Sequence, residues 1–181
     1  MSSPFRIRVA ELGDAPDLLV LVHSAYRGDS SRVGWTTEAD LLDGPRLTAE
    51  LLAAELADPA NTVLLMADDD GLLACATVTD RGGGLAYFGM FAVRPRAQGT
   101  GVGSALLDAA EAQARTGGAT AMEMTVIRQR ADLIAWYVRR GYRPTGECRP
   151  FPYGDERYGL PRRDDLEFSV LRKDLTATVS E

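Results

Sequence analysis

One lysine, one histidine and two cysteines are all that 181 residues carry of three residue types on which much enzyme chemistry depends. With Lys173 the only lysine, no Gly-Lys-Ser/Thr phosphate loop of the ATPase or kinase kind can be written in this chain. His23 sits inside the apolar stretch "PDLLVLVHSAY", where it reads as an ordinary helix residue, so triads that need a histidine are poorly supported. Cys75 and Cys148 are far apart, and neither has a second cysteine or a histidine at ligand spacing, which argues against zinc and against a disulfide framework. No apolar run approaches the roughly 20 residues that cross a bilayer. The opening "MSSPFRIRVAELGD" has no apolar core like that of a secretory signal, so a cytoplasmic protein is expected. Positive charge is also in deficit. Twenty basic against 26 acidic residues leave a net charge of -6, which excludes a general affinity for nucleic acid or an anionic membrane and tolerates a cationic partner.

What remains is an ordinary soluble composition, 45% hydrophobic and 25% charged, at a length that predicts one domain with a substantial core. The core is expected over about 5–173, with 174–181 a frayed tail. "FRIRV" at 5–9 alternates like an outer strand, and helices are predicted over 15–26 and 46–57, with a loop-rich stretch from 27 to 45 between them. Strands at 62–67, 72–79 and 85–93, separated by "DDDG" and "DRGGG", predict an antiparallel meander. A helix at 102–115 ends at Gly117-Gly118; a strand at 121–126, a helix at 130–140 and strands at 142–148 and 166–172 complete the chain. That order predicts an α/β (α+β) fold: a mixed, mostly antiparallel central sheet with helices on both faces.

Three glycines at alternate positions, Gly99, Gly101 and Gly103, join the 85–93 strand to the following helix. Glycine opens backbone angles closed to other residues and lets a ligand touch the main chain. A loop of this kind at the start of a helix aims free N–H groups outward at the positive end of the helix dipole, which makes an anion site, most naturally for phosphate. Arg94 and Arg96 flank it. A turn needed only for tight packing is the plainer alternative. A dinucleotide fold would place G-x-G-x-x-G at the start of a repeated strand-helix-strand array, whereas this loop is G-x-G-x-G behind a meander.

At this point the sequence resembles the GNAT superfamily of acyl-CoA-dependent N-acyltransferases. Its Q/R-x-x-G-x-G/A signature stands as Arg96-Ala97-Gln98-Gly99-Thr100-Gly101 after Val93-Arg94-Pro95, and a second block, "RADLIAWYVRRGYRPTGE", lies downstream. The resemblance implies that amides of Gln98, Gly99, Thr100, Gly101, Val102, Gly103 and Ser104 hold the pyrophosphate of coenzyme A. It also implies that Phe91, Ala92 and Val93 pair through their main chain with the pantetheine arm, and that strands 85–93 and 121–126 splay apart around the thioester. Acetyl-CoA is the implied co-substrate, with no metal, and dimers are frequent in the family, so a homodimer is one expectation. Where the family often has Asn at the next helix start, this chain has Arg130, which either binds a phosphate of coenzyme A or is solvated.

Acetyl transfer needs a neutral amine, and deprotonating a lysine-like amine at pH 7 costs about 4.6 kcal/mol. Tyr137 occupies the family's tyrosine position, implying a hydroxyl at the thioester sulfur. Complete proton transfer from a phenol to an alkyl thiolate is uphill by about 2 kcal/mol, so hydrogen-bonding the departing thiolate is the expected role. The alternative is a core aromatic. The oxyanion donor is expected from a backbone N–H near the end of the 85–93 strand, following the family's arrangement. Glu38, Glu123, Glu147 and Glu167 all qualify as the base. Trp35 beside Glu38, and Tyr153 in the long segment 149–165, are the candidate substrate contacts. The expected partner is a small-molecule or peptide amine. A non-catalytic acyl-CoA sensor, and a dinucleotide-dependent oxidoreductase, are the rival functions.

Overall fold

The computed structural model describes residues 5–26, 42–43, 47–155 and 160–176. A seven-stranded sheet organises them. Its first four strands follow chain order as an antiparallel run: β1 (Arg6–Val9), β3 (Asn61–Asp68), β4 (Gly71–Asp80) and β5 (Leu85–Val93). β6 (Ala121–Ile127) lies parallel to β5, β9 (Glu167–Asp174) pairs antiparallel with β6, and β7 (Arg143–Pro150) closes the far edge. A separate two-stranded pair joins β2 (Leu42–Asp43) to β8 (Leu160–Pro161), a contact that the sequence did not suggest. The predicted meander is present, and its second turn is glycine-dependent: Gly82, Gly83 and Gly84 have φ of 75°, 61° and 79°, angles that side chains resist.

Alternation along the strands sends apolar side chains to both faces of the sheet. Helix α3 (Val102–Thr116) and α4 (Ala131–Val138) cover one face, where Leu106, Leu107 and Ala110 pack with Met66, Ala76 and Met122. Helix α1 (Ala15–Tyr26) and α2 (Ala49–Ala57) cover the other, where Leu18, Leu21 and Val22 meet Leu52, Val63 and Cys75. α2 begins at Ala49 rather than at 46, because Thr48 caps it: its hydroxyl accepts the Leu51 N–H at 3.2 Å. β1 is exposed along its whole length, and its two arginines blunt an otherwise open sheet edge. Residues 174 and 175, expected in the tail, belong to the sheet and core. Asp174 is still in β9, and Leu175 is 4% exposed with its N–H bonded to Thr120 O at 2.8 Å.

On the α3 side one buried carboxylate ties three elements together. Glu111, 4% exposed, accepts from Tyr142 Oη at 3.0 Å and from Lys173 Nζ at 2.9 and 3.0 Å. Burial first, and then the Glu111 charge, hold the Tyr142 phenol far above its usual range, so it remains a donor. The chain's only lysine is thereby engaged in structure.

Strand β5 is not regular. Cys75 faces Ala92 across the ladder while Thr77 faces Gly89, so Met90 and Phe91 together oppose one residue of β4. Met90 carries the bulge with φ 47°, in the left-handed region. Phe88 and Phe91, three residues apart, consequently point into the same core, as do Ala86 and Val93.

Candidate active site

β5 and β6 are partners only from Leu85↔Ala121 to Tyr87↔Glu123. Beyond that point β6 continues beside β9 as far as Ile127↔Phe168, and β5 continues beside β4. The two strands diverge, as expected for residues 85–93 and 121–126. At the fork Tyr87 Oη and Thr125 Oγ1 are 2.6 Å apart. A cavity of about 560 Å³ opens there, with Phe88, Met90 and Phe91 on one wall, Thr125 and Val126 on the other, and Tyr137 among its lining residues. The Met90 bulge belongs to this wall. A non-glycine residue in the left-handed region costs about 1–3 kcal/mol and persists only where its surroundings over-determine it. Here Phe88 and Phe91 are anchored in the core on either side, and the Cys75 thiol donates to Met90 O at 3.5 Å.

The glycine turn stands beside this gap. The first intrahelical bond of α3 runs from Ala105 N–H to Gly101 O at 3.0 Å, so the N–H groups of Gly101, Val102, Gly103 and Ser104 precede the helix ladder. Gly99 and Gly101 have φ of 78° and 89°, and a Cβ at either would meet nothing within 4 Å. They are glycine because of backbone angle, and the space over them is open. Gly103 is different: a Cβ there would lie 3.3 Å from Phe91 Cζ, 3.4 Å from Val93 Cγ2 and 3.6 Å from Trp136 Cζ2. Its glycine serves helix packing. Thus the three glycines differ in kind, with left-handed backbone under open space at two positions and tight packing at the third. Gln98 ties the turn to the strand, its Nε2 donating to Val93 O at 3.0 Å, and the Thr100 hydroxyl donates to Ala97 O. A hollow of about 150 Å³ lies over Gln98, Gly99, Gly101 and Ser104. Left-handed glycines, unladdered N–H groups and this hollow fit a diphosphate.

Tyr137 is 4% exposed and held by rings on several sides: Trp136 at 5.0 Å, Tyr142 at 5.9 Å and Phe91 at 6.4 Å between centroids. It is at once a core aromatic and a residue of the cavity wall, so its two expected roles do not exclude each other.

Other candidates are dispersed. Arg96 is exposed at the outer side of the turn, and the Arg94 guanidinium lies against Gly71 instead, 3.5 Å from where a Cβ would stand. Arg130 is 6% exposed, so it is not solvated; it lines the larger cavity, with Nε 3.4 Å from Asp132 Oδ1, and is not among the residues of the small hollow. Glu123 is 7% exposed and bonded to Arg149 at 2.8 Å, Glu147 is bonded to the same arginine at 3.0 Å, and Glu167 is bonded to Arg128 at 2.9 Å. None of these three lines the cavity. Tyr153 lies on the outside of its segment, its hydroxyl donating to Arg163 O at 2.9 Å and accepting the Leu166 N–H at 2.8 Å. Trp35 and Glu38 lie outside the described residues.

Two groups of residues had no place in the sequence reading. Glu55, Asp58, Asn61 and Arg81 line the outer part of the cavity, with Thr79 Oγ1 donating to Asn61 Oδ1 at 2.6 Å. Arg140 lines the hollow at the glycine turn, its Cζ 3.6 Å from the Trp136 ring centroid. The four-residue spacing of Trp136 and Arg140 on a predicted helix was the available signal.

Solved structures share this fold over nearly the whole chain. The ribosomal-protein-S18-alanine N-acetyltransferase of Escherichia coli aligns with TM-score 0.70 and 16% identity, covering 98% of this chain and 97% of its own. Nourseothricin acetyltransferase aligns at 0.67 and 21%, covering 96% and 99%. The Salmonella typhimurium protein yncA, solved with its cofactor acetyl-CoA, aligns at 0.70 and 18%, covering 98% of each chain. No curated protein matches the sequence significantly. Residues 24–142 match the acetyltransferase (GNAT) family, and the chain belongs to that family. It is an acyltransferase of the GNAT fold.

Proposed function

We propose that the protein transfers an acetyl group from acetyl-CoA to a primary amine of a small molecule or peptide, by direct attack in a ternary complex. The observation that carries this reading is the fork of β5 and β6 after Tyr87↔Glu123, which opens a cavity between the glycine turn's strand and Tyr137. Its donor side fits coenzyme A: backbone N–H groups from Gly99 to Ser104 hold the diphosphate, and β5 runs on beyond its last β6 partner at Tyr87, so that its stretch from Phe91 to Val93 lies along the gap for the pantetheine arm. Acetyl-CoA bound there supplies an activated acyl group as a thioester.

The chain's own residues then act as follows. The bulge at Met90 redirects β5 amides toward the cavity, where one of them donates to the carbonyl oxygen as negative charge develops. Tyr137 hydrogen-bonds the departing thiolate. The amine approaches from the polar end of the cavity, past Glu55, Asp58 and Asn61, and its proton leaves toward that end, where the only described carboxylates lining the cavity stand. Positioning, worth roughly 7–11 kcal/mol, outweighs any one of these groups. No helix of the described residues is long and apolar enough to cross a membrane.

A panel of amines incubated with acetyl-CoA, read by released thiol, tests the function. Turnover of at least one amine class well above background hydrolysis is expected; none across a broad panel, with acetyl-CoA still bound, would favour a sensor. With an active amine in hand, Tyr137→Phe is expected to lower kcat by about 10²- to 10⁴-fold while the KM for acetyl-CoA stays within about twofold. Wild-type kcat in that variant would remove the tyrosine from the mechanism.

A further inference from the structure

Among the described residues, Arg140 is the one charged residue lining the hollow over the glycine turn. Its guanidinium sits over the Trp136 ring, Nη1 donates to Trp136 O at 3.0 Å and Nε lies 3.3 Å from Ser104 Oγ. The turn just past the end of α4 therefore places a cation beside the start of α3, and the indole fixes where it stands. Nη2 makes no hydrogen bond to the described residues. Burial, and then the neighbouring Arg139, pull the guanidinium below its usual pKa, against an opposing pull from the Asp108 carboxylate.

Resting on the reading of this turn as a coenzyme A site, we propose that Arg140 is the side-chain arm of the diphosphate cradle, clamped in place by Trp136. A helix N-terminus presents only about half a positive charge, against a diphosphate with two negative ones. Arg96 is exposed, Arg94 lies against Gly71 and Arg130 lines the other cavity, so the full positive charge comes from Arg140. A planar fork with spare donors suits a diphosphate better than an ammonium would.

The test titrates coenzyme A, 3′-dephospho-CoA and pantetheine calorimetrically into wild type, Arg140→Gln and Arg140→Lys, with melting temperatures alongside. Arg140→Gln is expected to weaken coenzyme A and 3′-dephospho-CoA by the same factor, about 10- to 100-fold, with a far smaller change for pantetheine, which lacks the diphosphate. Arg140→Lys recovers part of the loss, and the slope of log Kd against log salt is shallower in the Gln variant than in wild type. An equal loss for pantetheine, meaning that Arg140 only props up Trp136, would overturn the proposal. So would a loss confined to coenzyme A, which would move Arg140 to the 3′-phosphate, or no loss at all. Should the Gln variant fail to fold, the Lys variant is read against the same three ligands. Wild type that binds none of the three defeats the coenzyme A reading itself, a result distinct from each of the others.

Discussion

Gly101→Val is expected to weaken acetyl-CoA binding about 100-fold, roughly 2.7 kcal/mol, and to lower the melting temperature by roughly 2–12 °C, what backbone strain of about 1–3 kcal/mol costs a chain of this length. Two effects combine. At φ 89° a β-branched residue is strained, so the turn must reshape and redirect the N–H groups that follow it. The new side chain also projects into the open space over the turn, because a Cβ at Gly101 meets no protein atom within 4 Å. That same openness spares the packing, so the loss of stability comes from backbone strain alone. Gly101→Ala should lose less, about tenfold, having strain and little bulk. Gly103→Val reverses the balance: its Cβ would press on Phe91 and Val93 at 3.3 and 3.4 Å, so the melting temperature itself should fall. Calorimetric titration of acetyl-CoA into each variant separates these outcomes. Near-wild-type affinity in Gly101→Val would mean that the turn does not touch the ligand.

The largest effect on stability is expected from Glu111→Ala, about 3–5 kcal/mol by denaturant titration. The substitution strands two partners at once. Tyr142, 0% exposed, loses the acceptor of its hydroxyl, and Lys173, with a side chain 25% exposed, loses the carboxylate between which and itself two hydrogen bonds run. Glu111→Gln keeps an acceptor for Tyr142 and should cost less. Because the Tyr142 ring packs edge-on against Tyr137 at 5.9 Å, the Ala variant should also lower turnover at temperatures where it is still folded. A loss under 1 kcal/mol in Glu111→Ala would show that water replaces the carboxylate and that the buried triad is not what holds α3 to β9.

Much of this fold was legible because its signals are local. The meander from β3 to β5 is written in alternating apolar residues and glycine turns, and α3 in its apolar stripe and the Gly117-Gly118 stop. The glycine turn was legible for the same reason, since strand, turn and helix are contiguous. The bulge at Met90 was not, because "LAYFGMFAV" reads as one continuous apolar strand. Only the three-residue step from Phe88 to Phe91 hints that the side-chain parity changes midway. The Glu111, Tyr142 and Lys173 cluster brings together residues 62 positions apart, a pairing that depends on β7 and β9 being neighbours. The polar end of the cavity was hidden likewise: Asn61, Thr79 and Tyr87 become neighbours only through the strand register. Arg130 shows the limit of carrying a motif position across a substitution, since the arginine is buried in the larger cavity and not beside the turn.

The most direct measurement is a crystal structure with coenzyme A bound. The account predicts the diphosphate against the N–H groups between Gly99 and Ser104, the pantetheine arm along β5 from Phe91 to Val93, and the sulfur within hydrogen-bonding reach of Tyr137 Oη. Coenzyme A lying elsewhere on the protein, with the fork between β5 and β6 closed, would contradict it.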